Sequence, residues 1–141
     1  MTADQIEVCD KLWREALEAG LVRWMPGMLA LAPGWQPLRL AHEFFRSVWS
    51  GVAGDEIGHD YAHNVGDDAL PVWADPATIG CLLALAREAT GCHAHSASYY
   101  AQLGAWAYEW NRTDGTPVDG ALSMTEPEAL LRAILATRGN R

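Results

Sequence analysis

At 141 residues, half of them apolar, the chain is sized for one domain with an ordinary buried core. Eighteen acids against ten bases give a formal charge of −8, with Lys11 the single lysine, which argues against a nucleic-acid or anionic-membrane surface unless the arginines cluster in space. No apolar run nears the roughly 20 residues a membrane span requires, and three cysteines (Cys9, Cys81, Cys92) with no charged-then-apolar leader before Thr2 lead us to expect a reducing cytoplasm.

The first helix is expected over residues 3–19, with Thr2 and Gln5 in capping-box positions and Gly20 as the stop. Ile6, Cys9, Leu12, Trp13, Ala16 and Leu17 share one face at helical spacing, the signature of an amphipathic helix lying on a sheet. Residues 21–24 and 28–31 read as short strands joined by Met25-Pro26-Gly27-Met28, where proline at the second position and glycine at the third predict a type II turn. Residues 35–40 add a strand that Pro37 would confine to an edge.

From residue 41 to residue 72 the pattern loosens. His42 to Ser50 (HEFFRSVWS) has helical spacing in Phe45, Val48 and Trp49, and Gly51, Gly54, Gly58 and Gly66 make the rest a loop, an acidic glycine-rich insertion over about residues 50–72. Between Ser47 and Ala86 there are six acids (Asp55, Glu56, Asp60, Asp67, Asp68, Asp75) and no lysine or arginine. A solvated acidic loop has this composition, and so does a surface that fits a basic groove on a partner.

Residues 75–91, DPATIGCLLALAREATG, carry the signals of a complete buried helix. Asp75 is placed to cap it, Pro76 to open it, and Gly91 to end it, while Ile79, Leu82, Leu83, Leu85, Ala86 and Ala89 fall in one arc. Beyond it, residues 97–103 and 105–110 read as strands bent at Gly104, with Trp106, Tyr108 and Trp110 alternating onto one face. Residues 118–124 give a last strand, and Thr125 with Glu128 forms a second capping box for a helix to about residue 138. The order predicts a single α+β layered domain over residues 1–141, an antiparallel or mixed sheet against about three helices.

The segment DPATIGCLLALAREATG resembles DPATLGCLLALVREAWG, which recurs in small uncharacterised proteins of tailed phages and prophages whose domain is described as a phage α-β-α sandwich. The hairpin WMPGMLAL (Trp24 to Leu31) and the closing TEPEALLRAIL (Thr125 to Leu135), similar to the family's SEAEALVAAL ending, extend the likeness. The resemblance implies that fold, a phage origin and hence the cytoplasm of a host cell; it supplies no catalytic residues.

For chemistry, Cys92-His93-Ala94-His95 is the best candidate, because an extended chain points His93 and His95 the same way and two imidazoles are half of a zinc site. The remaining ligands would come from His59, Asp60 and His63. The plain alternative is that His93 and His95 are polar loop residues and Cys92 a small buried group. Cys9 belongs to a core stripe, and Cys81 is expected against a second layer near Ala84 and Glu88, with a raised thiol pKa. No Gly-x-Ser-x-Gly elbow and no phosphate-binding glycine pattern occurs.

These readings converge on a non-catalytic phage or prophage accessory protein, without a cofactor, that works by protein–protein binding. Its sharpest form is a counter-defence, anti-CRISPR-like inhibitor: Asp55, Glu56, Asp60, Asp67 and Asp68 enter the basic channel of a host nucleic-acid-binding complex, and Trp49 and Trp73 anchor it. No direct contact with nucleic acid or membrane is expected, and the aromatic content admits a homodimer through an exposed sheet face or edge. The competing class is a metal-binding protein or metal-dependent hydrolase using His93, His95, His59 and His63.

Overall fold

The computed structural model describes residues 1–34, 36–41, 44–47, 68–111, 115, 117–118 and 121–138. Among these residues the protein is α+β, with three α-helices and antiparallel β-pairing throughout. The chain divides into two compact units, Trp24–Cys81 and the pair of segments Met1–Arg23 and Leu82–Arg141.

In the Trp24–Cys81 unit, strands β1 (Leu29–Leu31), β2 (Leu38–Ala41), β3 (Phe44–Ser47) and β4 (Leu70–Pro71) form one sheet in the order β3-β2-β1-β4. The expected turn is present: Met28 N–H donates to the Met25 carbonyl at 3.1 Å and Gly27 has φ 101°, the positive value a type II turn needs. It does not join two strands. Residues 21–24 take no strand conformation, because both edges of β1 are already filled by β2 and β4.

β2 is an interior strand, not an edge, because it begins at Leu38, one residue past Pro37, so the missing N–H never faces a ladder. Residues 44–47, expected in a short helix, pair as β3 with Ala41↔Phe44 and Leu38↔Ser47 in register. The proline in the sheet is Pro71, and it stands where the rule allows, on the edge strand β4. Ala30, Ala32, Leu38 and Ala69 make the core of this unit, with Trp24 packed against them, and Met28 and Trp73 are also buried.

Helix α2 (Pro76–Thr90) starts in this unit and is tied to the sheet by polar groups. Thr78 is fully buried, and its hydroxyl accepts from the Leu29 N–H at 2.9 Å while donating to Asp75 Oδ2 at 2.9 Å. Asp75 caps the helix as expected, taking the Thr78 N–H on Oδ2 at 2.9 Å.

In the other unit, α1 (Ala3–Glu18) packs on α3 (Glu126–Ala136), and α3 also packs on β6 (Ala105–Ala107). The Thr2 capping box is complete: Gln5 N–H donates to Thr2 Oγ1 at 3.2 Å and Thr2 N–H to Gln5 Oε1 at 3.0 Å. Gly20 at φ 70° closes α1, with the Leu21 N–H reaching back to the Ala16 carbonyl. At α3, Thr125 Oγ1 accepts from the Glu128 N–H at 3.3 Å, and the Glu128 carboxylate turns back to the Met124 N–H. Cys9, Trp13, Ala16, Leu82, Leu85, Ala86, Leu130, Leu131 and Ile134 are buried, so the centres of the apolar faces read from the sequence are core, while Ile6 and Leu17, assigned to the α1 face, are exposed. No helix among the described residues is long and apolar enough to cross a membrane.

Candidate partner-binding surface

Past α2 the chain is held by short-range polar ties. Gly91 (φ 74°) ends the helix, and the His95 N–H to Cys92 carbonyl bond of 3.3 Å closes a turn over residues 92–95. This corrects the expectation of an extended segment. In a turn His93 and His95 do not share a strand face, and among the described residues no group of three or more His, Cys, Asp or Glu is arranged to hold a metal. His93 is exposed. His95 instead works structurally: its carbonyl accepts from Arg87 Nε at 2.8 Å, and its Nδ1 lies 2.7 Å from the Glu109 carbonyl oxygen. A carbonyl only accepts, so Nδ1 carries the proton.

These ties fix the base of a hairpin made by β5 (Ser98–Tyr100) and β6, turned at residues 101–104 with Gly104 at φ 60°. Tyr99 pairs with Trp106, and their rings meet at 5.4 Å between centroids, tilted by 53°. Trp106 uses both its N–H and its C=O on Ser123, at 2.8 Å each, on the side away from β5. In an antiparallel ladder that makes Tyr99↔Trp106 the non-hydrogen-bonded pair, so the Tyr99 N–H and C=O also point away from the hairpin, along its free edge. They take no partner among the described residues.

The edge is exposed and apolar. Tyr99 is 55% exposed and Leu103, at the turn, 62%. From residue 89 to residue 108 the chain has no Asp, Glu, Lys or Arg. The Tyr100 hydroxyl donates to Glu109 Oε1 at 3.1 Å, and chiefly for that reason its pKa is raised.

The aromatic face expected from Trp106, Tyr108 and Trp110 is divided by the structure. β6 ends at Ala107 and β7 (Trp110–Asn111) pairs elsewhere, with β8 (Pro117–Val118), so the alternation loses phase between them. Tyr108 and Trp110 are buried and Trp106 is half-buried beside Tyr99.

Of the acidic and indole residues expected to bind a partner, Asp68 is exposed. Trp73 is 2% exposed, a core side chain and not an exposed anchor. Asp55, Glu56, Asp60, Asp67 and Trp49 lie outside the described residues, as do His59 and His63. Asp75, counted among the unopposed acids, is in fact neutralised by Arg39, a base from a strand 36 residues earlier. Cys9 is buried as expected, with burial pushing its thiol up to about 11. The Cys81 thiol is raised by burial first and then by Asp75, not Glu88, and it donates to the Pro26 carbonyl.

Sequence reasoning passed over Tyr99. The uncharged run around it was a visible signal in a chain of net charge −8, but which residue turns its backbone outward depends on the Trp106–Ser123 bridge. Compared with known proteins, the chain matches no family model, no curated protein and no solved structure.

Proposed function

We propose that this chain acts by binding another protein and is not a catalyst. The observation that supports it best is the β5 edge: an exposed tyrosine whose outward backbone groups have no partner among the described residues, beside a tryptophan, in a stretch free of charge. Exposed aromatic clusters of this kind are typical binding hot spots, and an open strand edge recruits a partner through its main chain. The excess of acids adds long-range attraction for a basic partner. With the phage resemblance of residues 75–91, this supports a prophage-encoded counter-defence protein whose target is a host complex with a basic groove.

The test is co-purification of the tagged chain from lysogenic or infected cells, repeated with Tyr99→Lys and with Asp67 and Asp68 both changed to lysine. The reading expects a stoichiometric protein that Tyr99→Lys releases and that the double charge reversal holds more weakly, with less sensitivity to salt. A chain that purifies alone but carries stoichiometric zinc would replace it with the metal-binding reading.

A further inference from the structure

We draw no further inference here: the strongest candidate, the exposed apolar edge of strand β5 at Tyr99 with Leu103 at the hairpin turn, belongs to the surface already described, and nothing in the structure shows what covers it.

Discussion

Arg39 and Asp75 face each other in a two-point ion pair, Nη1 to Oδ2 at 2.7 Å and Nη2 to Oδ1 at 3.1 Å. The same guanidinium donates to the Gly27 carbonyl at 2.9 Å, and the same carboxylate caps α2, so one pair joins β2, the Pro26-Gly27 turn and the helix start. The Asp75 side chain is 11% exposed and that of Arg39 34%. Asp75→Ala removes the cap and strands the guanidinium, and we expect it to cost roughly 2–3 kcal/mol, less than a fully buried pair because Arg39 still reaches water. Arg39→Met leaves the carboxylate its Thr78 bonds and should cost about 1–2 kcal/mol. Urea midpoints of the two variants and their double mutant check the order, and a double mutant as unstable as the sum would deny the coupling.

The acid limb of stability should report the same pair. Burial is the largest single influence on Asp75 and pushes its pKa up, but the bonds from Arg39 and from the Thr78 backbone and hydroxyl together outweigh it, leaving the pKa lowered. A carboxyl lower in the folded than the unfolded chain contributes stability that is present above about pH 4 and is lost as pH falls through its folded value. Glu126 runs the other way, since burial raises it, so its term weakens the fold as pH rises through the window above the ordinary carboxylate range. Asp75→Asn should flatten the loss of urea midpoint below pH 4, and Glu126→Gln should remove a small gain seen on descending toward that range from neutrality. Unchanged limbs in both variants would contradict these assignments.

The helices were legible because their signals are local. Thr2 with Gln5, Asp75 with Pro76 and Gly91, and Thr125 with Glu128 lie within a turn of the groups they serve. The sheets were not, since strand identity is settled by partners far away. β4 is two residues long and contains a proline, and only pairing with Ala30 and Leu31 makes Leu70–Pro71 a strand. The spacing of Phe45, Val48 and Trp49 points to a helix, yet β2 claims residues 44–47 as a strand. The His93-Ala94-His95 alternation fitted an extended chain, and the turn following Gly91 breaks that premise. At the candidate surface, the absence of charge could be read directly, but the outward aim of Tyr99 could not, because Ser123 sets it from 24 residues away.

The two threonine caps should differ in weight. Thr125 is buried, and its hydroxyl also lies 3.8 Å from Cys9 Sγ, a contact between α3 and α1. Thr2 is exposed at the chain start. Thr125→Ala should therefore lose about 1–2 kcal/mol and Thr2→Ala nearer 0.5 kcal/mol, with Thr125→Ser restoring most of the loss. Thermal midpoints measured at one protein concentration decide it; equal shifts would mean that the Cys9 contact contributes nothing.

Thiol reactivity should separate the cysteines by depth. All three are free. Cys9 is fully buried with its pKa pushed up to about 11, so at mildly alkaline pH it is both inaccessible and protonated, while alkylation proceeds through the thiolate. Cys81 and Cys92 are half-buried. Native protein treated with iodoacetamide should be modified at Cys92 and, more slowly given its raised pKa, at Cys81, with Cys9 reacting only after denaturant is added. Peptide mapping reads this out, and rapid labelling of Cys9 under native conditions would mean that α1 separates from α3 far more readily than their shared core allows.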